Sequence, residues 1–186
     1  YRRSMDLIGS VIEKMTLIGA GDLIMTTHRT IENNFTEEEF SASLKSSLKS
    51  ICRLASGNGI NVHLRMTPGK FAYSIEQASN LQSSVDEPNF YIAPSLAMLA
   101  GDPDSLKKNI EILKDLKYSI LFVSAPEKDI YGKLWNINLP LFKNGHSEEI
   151  RSVLQVAKDK TLFLDGIYDD RDEEYLDIKN LEKLLK

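Results

Sequence analysis

The chain has 186 residues, of which 42% are hydrophobic, so it can bury a sizeable core and is most simply one domain spanning 1–186. Its formal net charge is −4, and acidic and basic residues are interspersed. This pattern argues against a nucleic-acid partner or an anionic membrane surface, both of which require a basic patch. No apolar run approaches the ~20 residues that cross a bilayer.

The single cysteine, Cys52, excludes an intrachain disulfide and is compatible with more than one cellular compartment, so the localisation stays unknown. Its helix-like surroundings, between Ile51 and Leu54, predict a small packed residue instead of a reactive thiol. The sequence begins Tyr-Arg-Arg, without an initiator Met or a signal peptide. We therefore expect a fragment or module of a longer chain.

The first predicted elements are a helix, a short strand and a second helix. Apolar residues at helical spacing predict a helix over 5–18, which Gly19-Ala-Gly21 ends before a strand over 22–28. Thr36 has a glutamate three positions later, Glu39, and this capping box predicts the start of a helix over 40–55.

The rest of the chain repeats the alternation of strand and helix. Strands are predicted over 60–66, 89–96, 118–124 and 161–168, and helices over 73–81, 106–116, 148–157 and 175–185. A long loop is predicted over 125–145, and it carries the only tryptophan, Trp135. The acidic turn over 169–174 is interpreted as a solvated helix N-terminus instead of a metal site.

Five strands that alternate with helices predict an α/β fold with a parallel sheet. The strands start roughly thirty to forty residues apart, which is the size of a βα unit. Five such units make either an open doubly wound sheet or part of a TIM (β/α)₈ barrel, which typically needs about 250 residues.

Three segments resemble the xylose isomerase-like TIM barrel superfamily, which contains sugar isomerases, epimerases and endonuclease-type metal enzymes. They are Leu17-Ile-Gly-Ala20 before a strand ending in His28, the run over 88–101 (Pro-Asn-Phe-Tyr-Ile-Ala-Pro-Ser-Leu-Ala-Met-Leu-Ala-Gly), and Leu162-Phe-Leu-Asp-Gly166. The resemblance implies that the chain is the C-terminal portion of such a barrel, about five strands with flanking helices. Roughly the first three βα units are then absent.

The resemblance also implies a degenerate metal site, because family enzymes hold a divalent metal with carboxylates and histidines at strand ends. Arg65 stands where the family has a ligand Glu, Ala93-Pro-Ser-Leu96 replaces an Asp and a His two spacers apart, and Ser124 replaces a His. Asp165 keeps a carboxylate, and His28 matches a histidine of the endonuclease branch. Two ligands do not make a metal site, so no metal and no cofactor are expected.

Other groups suggest further chemistry. Asp165 and Glu127 could form the carboxylate pair of a glycoside hydrolase. Tyr131, Trp135 and Asn136 offer stacking and hydrogen bonds to a saccharide, unless Trp135 simply anchors its loop. Arg65 could clamp a carboxylate or phosphate of a ligand, or pair internally with Asp165. His63 lies in mid-strand and is expected to be packed or surface-facing.

These observations predict a non-catalytic or accessory barrel module of a larger carbohydrate-related protein, with Asp165, Glu127 and His28 as the remaining catalytic-type groups. The expected ligand-binding residues are Arg65, Ser124, Tyr131, Trp135 and Asn136. The alternative is a sugar isomerase, epimerase or glycoside hydrolase whose other catalytic groups lie outside this chain. Because a partial barrel exposes edge strands and apolar faces, we also expect self-association or contact with the missing N-terminal part.

Overall fold

The computed structural model describes residues 2–27, 36–67, 74–100, 104–128, 134–141 and 147–185. Apart from one pair of consecutive helices and one run of three strands, helices and strands alternate along these ranges, as the sequence predicts. The elements in chain order are α1 (Arg2–Leu17), β1 (Asp22–Met25), α2 (Glu37–Ser56), β2 (Asn61–Arg65), α3 (Ile75–Val85), β3 (Phe90–Ala93), α4 (Leu96–Ala100), α5 (Leu106–Asp115), β4 (Ile120–Val123), β5 (Ala125–Lys128), β6 (Leu134–Leu139), α6 (Ser147–Val156), β7 (Thr161–Leu164) and α7 (Arg171–Leu184).

Side-chain caps set the starts of two of the longer helices. The predicted capping box opens α2: Thr36 accepts a hydrogen bond from the Glu39 backbone N–H, and the Glu39 carboxylate accepts one from the Thr36 N–H at 2.9 Å. Asp170 accepts from the Glu173 N–H at 2.8 Å and begins α7. The acidic turn is therefore a helix N-terminus, as the sequence predicts.

The strands that alternate with helices are all parallel. β2 pairs with β1 on one side and β3 on the other, so that Arg65 at the end of β2 lies opposite Ala93 at the end of β3. β4 pairs with β7, and Val123 lies opposite Leu164. The carboxyl ends of these strands therefore point the same way within each sheet.

A short seam joins the two parallel sheets. The Ile92 N–H of β3 donates to Lys117 O at 3.2 Å, the Phe122 N–H of β4 donates to Pro94 O at 2.9 Å, and Ser95 forms an isolated parallel bridge with Phe122. The seam gives one parallel row in the order β1-β2-β3-β4-β7, flanked by helices. The prediction of about five parallel strands is confirmed.

The two faces of this row have different surroundings. Alternate residues such as Val62, Leu64, Leu121 and Val123 belong to the main core, where they pack with buried side chains of α2, α3, α5 and α6. The intervening residues lie on the opposite face, which we call the inner face. It carries a small second apolar cluster of Ala93, Ile120 and Phe122.

Two features differ from the sequence-based expectation or extend it. The region after β4, predicted as a loop over 125–145, contains the antiparallel hairpin of β5 and β6. Its second strand reads Leu-Trp-Asn-Ile-Asn-Leu, an alternation of apolar and polar residues that is typical of a strand. The short helix α4 was also not predicted. Cys52 is fully buried, as expected, and burial raises the pKa of its thiol to about 12.

Candidate functional site at the strand ends

Four residues mark the carboxyl ends of the parallel strands. Arg65 ends β2, Ala93 ends β3, and Ser124 and Asp165 directly follow β4 and β7. In parallel βα folds, ligands bind at this end of the strands because the connecting loops and the strand-end side chains meet there. We call the group of Arg65, Ala93, Ser124 and Asp165 the strand-end site.

An ion pair crosses the strand-end site. Nη2 of Arg65 donates a hydrogen bond to Oδ2 of Asp165, although the two residues are 100 positions apart in sequence and two strands separate β2 from β7. The guanidinium Cζ lies 4.3 Å from the centroid of the Phe122 ring, a cation–π geometry. The Arg65 and Asp165 side chains are only 20% and 14% exposed. The internal pairing that the sequence suggested as one alternative for Arg65 is therefore present.

Three buried polar atoms at or just beyond the strand ends have no partner among the described residues. They are Nε of Arg65, Oγ1 of Thr67 and Oγ of Ser95, all of them buried. Buried polar groups in proteins are nearly always hydrogen-bonded, so such atoms mark places where a ligand or water can bind. Thr67 and Ser95 were not singled out from the sequence. The sequence signal that could have identified them is their spacing, because each is a hydroxyl residue two positions after a strand-end residue.

The other predicted site residues fall in different places. His28 and Tyr131 lie outside the described residues. Glu127 and Asn136 are Cα partners in the β5–β6 hairpin, and Trp135 precedes Asn136 on β6; for these three the structure describes the backbone. The hairpin brings the predicted carboxylate position and the predicted saccharide-binding positions together on one element.

The divalent metal that the resemblance implies does not fit the described strand ends. Arg65 is a permanent cation, Ala93 and Leu96 carry no donor atom, and both are fully buried. Ser124 is fully buried, and the Asp165 carboxylate is already paired with Arg65. Within the described ranges, no group of three or more His, Cys, Asp or Glu side chains could hold a metal ion.

Asp165 is held by a backbone hydrogen bond to β4, and the loop that follows it is fixed by Tyr168. Its N–H donates to Val123 O at 2.9 Å. Three residues later, the Tyr168 hydroxyl donates to the buried Asp177 carboxylate of α7 at 2.9 Å. The Tyr168 ring packs so closely over Gly166 that a Cβ there would lie 2.6 Å from it. A larger residue next to Asp165 would therefore have to displace the Tyr168 ring.

A second polar cluster lies on the same inner face toward the amino ends of the strands. His63 is fully buried, its Nε2 lies 2.8 Å from Oδ1 of Asp22, and its ring stacks on Tyr91 at 5.1 Å. Burial by itself would raise the pKa of Asp22, but hydrogen bonds from His63 and Asn61 lower it below its usual value. His63 is thus packed, one of the two placements expected from the sequence.

No protein-family model and no curated protein matches the sequence. Solved structures do match. A xylose isomerase-like TIM barrel protein from Mycobacterium smegmatis, in complex with magnesium, aligns with 100% of this chain and 69% of its own, at 15% identity and a TM-score of 0.69. A D-tagatose 3-epimerase-like protein gives 14% identity and a TM-score of 0.76 over 99% of this chain and 69% of its own. D-psicose 3-epimerase with D-tagatose, from Clostridium cellulolyticum H10, gives 8% identity and a TM-score of 0.74 over 100% of this chain and 71% of its own.

The fold is therefore that of part of a TIM barrel. More specifically, it is the fold of the xylose isomerase-like barrels, and its structural neighbours are sugar isomerase- and epimerase-like proteins. The chain spans about seven tenths of these three neighbours, so that its five parallel strands form a partial barrel. Within the described ranges, no helix is long and apolar enough to cross a membrane.

Proposed function

We propose that the chain is a non-catalytic or accessory module of a larger carbohydrate-related protein, with a degenerate metal site, and that it binds a saccharide at the strand-end site. The observation that carries this proposal is the ion pair between Arg65 and Asp165. A permanent cation at the strand ends, held over an aromatic ring, supports the loss of a divalent ion there, because it would repel a metal. The only strand-end carboxylate among the described side chains is engaged in this pair.

Aromatic surface beside the ion pair supports the saccharide part of the proposal. Phe163 of β7 packs against Phe122 with ring centroids 5.1 Å apart, and half of Phe163 is exposed. An exposed ring beside hydrogen-bonding groups suits a sugar, which has apolar faces and polar edges. The hairpin residues Trp135 and Asn136, with Tyr131 in the same connection, are proposed as further contacts.

Calorimetric titration with neutral monosaccharides tests saccharide binding. We expect measurable affinity without any added metal, and Phe163→Ala should weaken it about tenfold, which corresponds to 1.4 kcal/mol. Tyr175→Ala is the matched control, because Tyr175 is also a half-exposed aromatic but lies on the outer helix α7. The proposed site would be refuted if Phe163→Ala and Tyr175→Ala lost the same amount of affinity, or if the unmodified protein bound no monosaccharide.

The alternative function is a sugar isomerase, epimerase or glycoside hydrolase whose remaining catalytic groups lie outside this chain. The epimerase-type neighbours favour it, and Asp165, Glu127 and His28 are the groups of this chain that would take part. Elemental analysis after incubation with magnesium and manganese separates the two functions. A stoichiometric metal that is lost in Asp165→Asn would support the enzyme, whereas no bound metal supports the accessory module.

We also propose that both ends of the strand row are covered, either by the missing N-terminal part of the barrel or by a second copy of the chain. Among the described residues, twelve large hydrophobic side chains are exposed, and all but Leu54 belong to α1, β1, β7, α7 or the segments directly joined to them. On α1 and at its end they include Leu7, Val11 and Ile18. Clusters of exposed apolar side chains of this kind mark interaction surfaces.

A further inference from the structure

We propose that the strand-end site binds the oxyanion of a ligand, a carboxylate or a phosphate, and that this oxyanion takes the place of Asp165 on the guanidinium of Arg65. In the ligand-free protein, the Asp165 carboxylate then serves as an internal counter-ion of Arg65. This inference deepens the proposed function, since it names the chemical class of the saccharide, a sugar acid or a sugar phosphate. It differs from the metal-centred chemistry that the resemblance implies.

The first argument is the set of donors that the ion pair leaves unused. Arg65 has a planar guanidinium whose N–H groups form a rigid fork that fits carboxylate and phosphate oxygens. Asp165 accepts from Nη2, while Nε of the same guanidinium is buried without a partner among the described residues. The hydroxyls of Thr67 and Ser95 are in the same state. An incoming oxyanion can accept from Nε, from the Nη2 that Asp165 vacates and from the two hydroxyls.

The strand register places these groups on one face. Arg65 and Ala93 are the last paired residues of β2 and β3, and Thr67 and Ser95 stand two positions beyond them, where a continued alternation puts them on the same side. Met66, between Arg65 and Thr67, belongs to the main core on the helix side, and the bridge to Phe122 holds Ser95 beside β4.

The seam brings Ser95 close to the cation. Ser95 forms a parallel bridge with Phe122, and the guanidinium of Arg65 lies over the ring of Phe122. Ser95 itself is fully buried, and its hydroxyl is unpartnered. A buried, unsatisfied hydroxyl beside a guanidinium is suited to an acceptor with several lone pairs, which a carboxylate or phosphate supplies.

Exchange of the anions needs only a side-chain movement. The backbone N–H of Asp165 stays bonded to Val123 O at 2.9 Å, so β7 does not have to shift. The Asp165 carboxylate, 14% exposed, lies at the end of the row beyond the last paired residue, Leu164. Rotation of this side chain toward solvent frees the cation for the ligand, and no covalent bond changes.

The exchange predicts opposite effects of changes to the two members of the ion pair. Asp165→Asn removes the competing negative charge and should raise the affinity for an oxyanion at least tenfold. Arg65→Gln removes the cation and should abolish binding. A pair that only stabilises the fold would give losses of the same sign in both variants, which makes this contrast diagnostic.

The experiment is a titration of the full 186-residue chain with inorganic phosphate, acetate, glucuronate, glucose 6-phosphate and neutral glucose. Binding is measured by calorimetry and by the chemical shift of the ¹⁵N resonance of Arg65 Nε. We expect the anions to bind and to shift this resonance in the unmodified protein. Stronger binding by acetate and glucuronate identifies a carboxylate site, and stronger binding by phosphate and glucose 6-phosphate identifies a phosphate site. Ser95→Ala should weaken either one several-fold.

Arg53→Gln is the matched control, because Arg53 also pairs with a carboxylate, Glu87 at 3.0 Å, but its side chain is 71% exposed and belongs to the last turn of α2. It should leave anion binding unchanged. Near-UV circular dichroism checks that each variant folds. If Asp165→Asn does not fold, the proposal is tested by two other results. Anions should shift the Arg65 Nε resonance in the unmodified protein, and Ser95→Ala should reduce this shift at the same anion concentration. Binding of glucose without binding of any anion would overturn this inference and leave the proposed function standing, whereas no binding of any sugar or anion would overturn both.

Discussion

The imidazole of His63 and the carboxylate of Asp22 lie 2.8 Å apart on neighbouring strands, the first fully buried and the second with half of its side chain exposed. Asp22 begins β1, an edge strand of the three-stranded sheet, and its carboxylate also accepts a hydrogen bond from Asn61 at 3.2 Å. This arrangement ties the first strand to its neighbour by side chains in addition to the backbone ladder. It has a consequence for the dependence of stability on pH.

Burial raises the pKa of Asp22, but its hydrogen bonds to His63 and Asn61 outweigh burial and lower the pKa below the usual 3.8. A carboxylate with a lowered pKa in the folded state stabilises the fold above its unfolded pKa, and this contribution is lost as the pH falls through the folded value. Asp22→Asn should therefore cost under about 1 kcal/mol at neutral pH, because the side chain is half exposed. The difference from the unmodified protein should shrink as the pH falls below 3.8 and vanish once Asp22 is protonated in the folded state as well. Urea unfolding over a series of pH values from neutral downwards measures it, and a pH-independent difference would contradict the assignment.

Breaking the Arg65–Asp165 pair should be costly, because the partner left behind is a mostly buried charge. Arg65→Met is expected to lower the free energy of unfolding by about 3 kcal/mol, and the double variant with Asp165→Leu should recover most of that loss. Urea unfolding of both single variants and the double variant gives the coupling energy. Lys108→Met, which breaks the exposed pair of Lys108 with Glu76 (65% and 59% exposed), should cost under about 1 kcal/mol. Additive losses in the double variant would count against the coupling.

Gly166→Ala should disturb the loop that follows β7. A Cβ would lie 2.6 Å from the Tyr168 ring, and the ring is held by its hydrogen bond to Asp177, so we expect a loss of about 1–3 kcal/mol. Thermal unfolding measures the loss, and a second change, Tyr168→Ala, should remove the clash. Gly21→Ala is the control, because nothing lies within 4 Å of its added Cβ and its φ is not positive. Similar melting temperatures for both alanine variants would argue against the close packing.

Thr36→Ala removes the cap of α2 and should destabilise the protein by about 1 kcal/mol. The hydroxyl accepts from the Glu39 N–H, which otherwise has no partner in the first turn of the helix. Chemical denaturation gives the value. Ser43→Ala, an exposed change within the same helix, should leave the stability nearly unchanged. If the two variants were equally stable, the cap would be of no energetic importance.

Association should depend on the exposed apolar residues of the terminal helices. Leu7→Glu on α1 and Leu176→Lys on α7 place charges on side chains that are 66% and 57% exposed, so each should weaken self-association. Sedimentation velocity over a range of concentrations measures it. Leu54→Gln, which changes the one exposed large hydrophobic of the described residues outside the two ends, should have no effect. A chain that is monomeric at all concentrations would favour completion of the barrel by further βα units.

Local signals in the sequence predict most of this fold. The capping box of Thr36 and Glu39 and the apolar strand over 118–124 are each determined by a few neighbouring residues, and both are found where the pattern predicts them. The hairpin of β5 and β6 was missed although the alternation over 134–139 was readable, because a long connection with one tryptophan was interpreted as a loop.

The candidate site was only partly predictable, because it depends on the register between strands. The sequence shows that Arg65 and Asp165 both lie at strand ends, and this was enough to suggest that they pair. It does not show that the start of β1 lies beside β2 so that Asp22 reaches His63, nor that Ser95 and Thr67 remain without partners. Such contacts follow from which strands are neighbours, and residues far apart in sequence decide that.

We expect the seam between β3 and β4 to divide the parallel row into two units that open separately. Pro94 has no N–H to donate at the point where β3 reaches β4, so few backbone bonds hold the units together. Segments of this kind open by sub-global fluctuations, in which the three-stranded unit and the β4–β7 pair exchange their amide protons at different rates. Because the Arg65–Asp165 pair connects these two units, a ligand that displaces Asp165 would also loosen the seam.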